Sequence, residues 1–241
     1  MEQPAATLTV VYDNNAPVSH SGADLSSAWG FSCLIETSAT TVLFDTGGDG
    51  PTLMHNLSEL GIDLADIDIV VLSHYHSDHT GGLSALLDAC EPSAVFMPRS
   101  FPDEFKTRIG ERTHVAEITS PTDIAPGIRS TGEMGLALIE QAITVETSSG
   151  LALITGCAHP GIVKIATRAA EWGDLALILG GFHLKDSDDT RISRVIAELK
   201  RLDVQQAAPT HCSGERGCEL FRKAFGDAYV AVGLGSKLVL S

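Results

Sequence analysis

A chain of 241 residues with 44% hydrophobic and 20% charged side chains has ordinary globular usage and enough length for one large α/β domain, and it lacks the ~20-residue apolar stretch of a membrane span. Sixteen basic against thirty-one acidic side chains leave a formal charge of −15, which repels polyphosphate backbones and favours a small-molecule substrate over nucleic acid. Five scattered cysteines (Cys33, Cys90, Cys157, Cys212 and Cys218) lack CxxC pairing, which argues against a disulfide framework or a structural zinc knot and for reduced thiols.

The opening segment, MEQPAATLTVVYDNN, has neither the basic region nor the long apolar run of a secretory signal, so a cytoplasmic protein is expected. Short apolar, β-branched runs at 8–13, 31–36, 41–45, 67–73, 93–97, 142–147, 151–155 and 175–179 each predict a strand. Three- and four-residue apolar spacing at 51–60, 82–90, 161–172, 189–201 and 214–225 predicts helices. The early adjacent strands predict antiparallel hairpins, and the later strand–helix alternation predicts helices over the outer faces. A layered sandwich therefore fits better than a doubly wound sheet.

One weakly patterned stretch, about 99–135, reads as a cap or substrate loop within a single domain spanning 1–241. Its Arg99, Lys106, Arg108 and Arg112 suit an anion-binding loop. The interleaved Asp103, Glu104 and Glu111 suit a solvated charged face, and the sequence leaves both open.

The densest chemical signal is His74-Tyr75-His76-Ser77-Asp78-His79-Thr80-Gly81-Gly82, directly after the 67–73 run. Three imidazoles and a carboxylate on a loop at a strand end are ligands for first-row metals. Two histidines one residue apart can clasp one ion while the Asp-His pair reaches a second, so the pattern predicts two metals. Gly81 and Gly82 would let the chain turn tightly into the next helix. Four residues cannot complete two shells. His159, His183 and His211 also end apolar runs, where α/β folds collect ligands, although each also reads as a buried structural histidine. His20, His55 and His114 lack such a context and read as surface residues. Trp29 and Trp172 read as packing residues, with a pocket role for Trp29 as the alternative.

The segments VLFDTGG (42–48) and His74–His79, an HxHxDH signature, resemble the metallo-β-lactamase superfamily. WGFSCLIET, TGCAHPGI, GGFHL and PTHCSG extend the resemblance to the subgroup similar to 7,8-dihydropterin-6-methyl-4-(β-D-ribofuranosyl)aminobenzene 5′-phosphate synthase-like metal-dependent hydrolases, over about residues 8–215. The resemblance implies a four-layer αββα metallo-β-lactamase sandwich, with metals at the shared edge of two sheets. It implies His74, His76 and His159 around one ion, Asp78, His79 and His211 around the other, and Asp45 as a supporting carboxylate. Where many relatives carry a bridging aspartate in a TGD-like strand end, this chain reads Thr155-Gly156-Cys157, so Cys157 is either a thiolate ligand or a small buried side chain.

The function expected is a dinuclear metal-dependent hydrolase that uses a metal-bound hydroxide on a small ester or phosphoester. Its cofactors would be two divalent ions, zinc foremost with iron or manganese as alternatives, and its substrate phosphorylated or pterin-like. Asp78 would orient the water, and His183 would contact substrate or act as general acid. By analogy with the family a homodimer is compatible; no nucleic-acid or membrane partner is expected. Two other classes stand beside this reading: a di-iron redox enzyme, and a non-catalytic metal- or ligand-binding module of the same fold.

Overall fold

Strands that are apolar at nearly every position are buried on both faces, and here they divide their side chains between separate cores. The computed structural model describes residues 6–16 and 23–240; His20 lies outside the described residues. The first half comprises β1 (Ala6–Asp13), β2 (Phe31–Thr37), β3 (Thr41–Phe44), α1 (Gly50–Glu59), β4 (Ile69–Val71), α2 (Ser77–Thr80), α3 (Leu83–Ala89), β5 (Ala94–Pro98), α4 (Asp103–Gly110) and β6 (Val115–Ile118). The second comprises β7 (Thr122–Ala125), β8 (Ile128–Ser130), β9 (Ile143–Thr147), β10 (Gly150–Thr155), α5 (Ile162–Ala170), β11 (Leu175–Gly181), α6 (Asp189–Arg201), β12 (Gln206–Thr210), α7 (Gly214–Phe225) and β13 (Lys237–Leu240).

The strands form a seven-stranded sheet, ordered β13-β1-β2-β3-β4-β5-β6, and a six-stranded sheet, ordered β12-β11-β10-β9-β8-β7. Val42, Phe44 and Val71 of the first sheet meet Ile143, Ile154, Leu177 and Leu179 of the second in the central core. The intervening Leu43, Val70 and Leu72 face outward onto Leu53 and Leu57 of α1 and Leu83 and Leu86 of α3. Leu151, Leu153 and Ile178 likewise face Ile165 and Ala169 of α5 and Ile192 of α6. Three apolar layers thus separate four layers of structure, the expected αββα order. The predicted hairpins are β1–β2–β3, both pairs antiparallel, and the predicted strand–helix units are β10–α5–β11–α6–β12, whose strands pair in parallel.

The stretch 99–135 is more regular than its sequence reads: it holds α4 and β6 to β8, and carries the chain from the edge of one sheet to the edge of the other. Its elements are too short to display a period, and α4 buries only Phe105 and Ile109. Its cations are largely occupied locally: Lys106 pairs with Asp103 and Glu117, Arg112 with Asp88, and Arg108 lies over the Phe105 ring. These local pairings fit the reading as a solvated charged face.

Parallel pairing brings the carboxyl ends of β3 and β4 level through Phe44 and Val71, and those of β11 and β12 through Gly181 and Thr210. Beneath the loop after β4, Gly81 N–H donates to the Gly47 carbonyl at 3.0 Å and Thr46 N–H to the His79 carbonyl at 2.8 Å. A Cβ on Gly81 would stand 2.0 Å from the Gly48 carbonyl oxygen, and one on Gly82 would stand 2.2 Å from that of Thr46. Both residues have ordinary right-handed helical backbone, with φ −68 and −82. Glycine is needed here for close approach between chains, not for the tight turn that the sequence suggests. Gly81→Ala should therefore cost about 2–4 kcal/mol by overpacking, read as a lower urea midpoint. Gly110→Ala, whose Cβ would meet nothing nearer than 3.9 Å, should be neutral or slightly stabilising. Equal midpoints for the two variants would contradict the close-packing account.

Candidate metal centre

The carboxyl ends of β1, β3, β4, β10, β11 and β12 meet at one edge of the sandwich, and each delivers a polar side chain there. Four of the five non-glycine residues with positive φ among those described lie on these strand ends: Asp45, Ala158, His183 and His211, with φ 49 to 59. Backbone in this sparsely populated region persists where the surroundings over-determine it, commonly at functional sites.

Asp45, fully buried at the end of β3, is the organising group. Its Oδ1 accepts Ser73 N–H at 2.7 Å, and its Oδ2 accepts the Ser73 hydroxyl and His79 Nδ1–H, each at 2.7 Å. With its hydroxyl donated to the carboxylate, Ser73 Oγ accepts from His74 Nδ1 at 2.8 Å. His211 Nδ1 donates to Asn14 Oδ1 at 2.7 Å, just past the end of β1. Three imidazoles thus have Nδ1 tied back, leaving Nε2 as the lone-pair atom that faces the site.

Those atoms converge. His74 Nε2 is 3.0 Å from His76 Nδ1, and His79 Nε2 is 3.2 Å from Cys157 Sγ. Asp78 Oδ2 lies 3.5 Å from His211 Nε2 and 3.7 Å from His79 Nε2. Among the described residues three groups have ligand atoms within 4.8 Å of one another: Asp78, His79, Cys157 and His211; His74, Cys157 and His159; Cys157, His183 and Cys212. Bonds of about 2.0–2.3 Å let a single ion bridge such spans. His76 stands outside these groups but packs 4.7 Å from the His74 ring and 5.0 Å from the His159 ring. The Nε2 atoms of His159 and His211 are buried with no hydrogen-bond partner. A buried, unpaired acceptor is costly unless something binds it, and the nitrogen, carboxylate and sulfur donors present suit a first-row cation.

The local charge balance is consistent with that fit. Burial, then the neighbouring imidazoles, holds His74 well below its usual range and His159 down to about 4, so both stay neutral. His76 is lowered mainly by burial. For His79 burial acts in the same direction, but the Asp45 carboxylate overrides it and raises the imidazole. Burial opposes ionisation of Asp78, yet contact with His211 and the charge of His79 keep it well below the carboxylate range. The contact with Cys212, then burial, pushes the Cys157 thiol up, and a bound cation would reverse that.

Every histidine that the sequence singled out for this site, together with Asp78, is brought to this edge, and His183 sits at its rim, exposed, with its ring 4.3 Å from that of His159. His55 instead contacts the Asp24 carbonyl and His114 is exposed, as expected of surface residues. Trp29 is no core residue: it is 46% exposed and its ring lies 4.8 Å from that of His211, the pocket alternative.

Glu140 was missed. It is fully buried, and its carboxylate accepts the backbone N–H groups of Cys157, Ala158 and His159 at 2.9, 2.8 and 2.7 Å. Burial pushes it up to about 7 against the pull of those three bonds. The only signal in the sequence is a single acid beside the apolar 142–147 run, which reads as a solvated strand end.

The sequence profile of the metallo-beta-lactamase superfamily matches residues 30–101. A curated relative from Methanocaldococcus jannaschii, 7,8-dihydropterin-6-methyl-4-(beta-D-ribofuranosyl)-aminobenzene-5'-phosphate synthase, is 27% identical, covering 84% of this chain and 87% of its own length. Among solved structures, Tm1679, described as a metal-dependent hydrolase of the beta-lactamase superfamily, superposes with TM-score 0.83 at 27% identity, covering 98% of this chain and 99% of that one. The metallo-beta-lactamase fold protein YhfI from Bacillus subtilis superposes with TM-score 0.69 at 15% identity, covering 98% and 99%, a likeness of fold alone.

Glu140→Gln leaves at least one of the three amides facing an NH₂ group. We expect it to weaken metal binding about 10- to 100-fold, as loss of a supporting hydrogen bond does, measured by competition with a chromophoric chelator. Unchanged affinity would show that the Cys157–His159 turn holds its shape without the clamp.

Proposed function

We propose that this chain, which has the metallo-β-lactamase fold and resembles that superfamily in sequence, is a dinuclear metal-dependent hydrolase of a small phosphorylated molecule. The observation that carries the reading is the set of inward-facing donors, with two buried Nε2 atoms unpartnered and Cys157 Sγ common to every ligand group. His74, His76 and His159 would hold one ion, and Asp78, His79 and His211 the other. Cys157 would lie between them as a thiolate, where the TGD-like pattern has an aspartate. Zinc fits this mixture of imidazole, carboxylate and thiolate, and iron or manganese is the alternative. Five free thiols support a cytoplasmic, reducing setting, and no helix among the described residues is long and apolar enough to cross a membrane.

When bound, the ions would make water acidic enough to attack near neutral pH and would stabilise charge developing on a carbonyl or phosphoryl oxygen. The remaining work falls to the chain. Asp45 and Asn14 fix the imidazole orientations, and Glu140 fixes the turn that presents Cys157 and His159. Asp78, held ionised, would orient the attacking water by accepting its proton in a hydrogen bond. His183, at the rim, would donate from its ring to the departing oxygen. A second reading, a synthase of a phosphorylated pterin compound, is favoured by the name of the M. jannaschii relative.

The test is metal content by elemental analysis, together with cleavage of bis-p-nitrophenyl phosphate, a thioester and a lactone. We expect about two ions per chain and chelator-sensitive cleavage of at least one substrate. In cobalt-substituted protein we expect a thiolate-to-metal absorption band that Cys157→Ala removes. Metal without hydrolysis of any bond would favour the synthase, and iron with reversible redox spectra the di-iron enzyme. A metal-free protein would leave a binding module, and a cobalt spectrum without the thiolate band would remove Cys157 from the shell.

A further inference from the structure

Next to the metal centre lies a cavity of about 330 Å³ lined by Trp29, His183, Lys185, Asp186, Arg191 and Cys212, among others. That volume is at the lower end for small-ligand sites. A larger depression of about 630 Å³, lined by Met54, Ile62 and Ala89, includes no residue of the metal centre. The small cavity touches the centre on two sides: Trp29 packs on His211, and the His183 ring on His159.

Its lining is cationic in a protein of net charge −15. Among the described residues Arg99, Lys106, Arg112, Arg129, Arg168 and Arg216 pair with carboxylates, and Lys185 and Arg191 are two of the ten basic side chains that have none within 4.0 Å. Lys185 Nζ instead lies 4.5 Å from the Trp29 ring centroid, on an aromatic face nearly half exposed. The loop that bears it is built rather than loose. Leu184 and Lys185 N–H both donate to the Cys212 carbonyl at 3.1 Å, and Ser187 N–H closes a turn on the Leu184 carbonyl at 3.0 Å. Gly214 lets that backbone pass so closely that a Cβ there would stand 2.7 Å from Lys185 Cα. Asp188 then starts α6 by accepting Arg191 N–H at 2.7 Å. The backbone that carries both cations is thereby set against the strand end that bears His211 and Cys212, and Asp186 is the one acid in the lining.

We propose that this cavity is the substrate subsite and that it takes an aryl or heteroaryl ring bearing a phosphate, with the ring against Trp29 and the phosphate between Lys185, Arg191 and the His183 ring. The proposal rests on the hydrolase reading only for what happens after binding. An aromatic face suits a planar ring, and paired cations with an imidazole donor suit a dianion better than a neutral ester or a monoanion.

The experiment titrates metal-loaded protein with phenyl phosphate and with benzyl alcohol, following indole fluorescence, with Trp29→Phe to assign the signal. Saturable binding of phenyl phosphate but not benzyl alcohol is expected. Lys185→Ala and Arg191→Ala should each weaken it about 10-fold, at wild-type metal content, with Lys185→Arg restoring most of the loss. In turnover of an aryl phosphate the same variants should raise KM more than they lower kcat. Binding that is indifferent to both cations, or equal for the neutral alcohol, overturns the subsite whether or not the protein is a hydrolase. Cation-dependent binding without cleavage of any bond upholds the subsite and counts against hydrolysis.

Discussion

The fully buried carboxylate of Asp45 is the constraint on which the rest of the site depends. A carboxylate out of water must be paired or fully hydrogen-bonded. Asp45 satisfies this with the Ser73 amide, the Ser73 hydroxyl and the His79 ring, while its own carbonyl accepts the Ser32 hydroxyl at 2.7 Å. These bonds join the ends of β2, β3 and β4 and orient two imidazoles at once. They also explain the small residue in Thr155-Gly156-Cys157. A Cβ on Gly156 would stand 2.2 Å from Ser73 Oγ and 2.8 Å from Asp45 Oδ2, so the second sheet can reach the network only through glycine. Gln141 fastens the same junction, its backbone N–H donating to the Ser73 carbonyl and its Nε2 to that of Leu72, each at 2.9 Å.

Around that hub the donors are fixed before any ligand arrives. Glu140 grips one turn through three amides and Asn14 another through His211, so the cost of ordering the ligand set is met during folding and not at binding. The arrangement is unfavourable by itself, because two Nε2 atoms are buried unpartnered. A bound cation would convert this penalty into bonds. Occupancy and stability are then linked, because an ion that binds the folded chain alone stabilises it.

Much of this was legible in the sequence. β3, β4, β10 and β11 are buried on both faces, so their apolar runs are continuous. The helices α1, α5, α6 and α7 have one apolar stripe each, which shows as three- and four-residue spacing. β12 and β13 escaped detection because QAAPT is small and proline-bearing and KLVL alternates on a sheet edge. The metal-ligand candidates were visible because imidazoles gather at strand ends. Glu140 and Asn14 were not, since each is an ordinary polar residue in sequence whose partner arrives from a distant strand. Gly81 and Gly82 were noticed for the wrong reason: a sequence shows where chain flexibility is allowed, but not where another backbone will pass within van der Waals distance.

The two functional readings differ in the bond made or broken, and the metal centre alone does not separate them, since one fold hosts many reactions. The part of the edge that we propose selects the substrate lies outside the hydrogen-bonded ladders: Trp29 before β2, Lys185 in the loop before α6, and Arg191 in the first turn of α6. There two cations stand with Asp186 as the one acid of the lining, against an overall excess of negative charge. The field that Lys185 and Arg191 create falls on the rim of the candidate metal centre. It adds to the charge of any bound cation and draws an anion to the inward-facing donors.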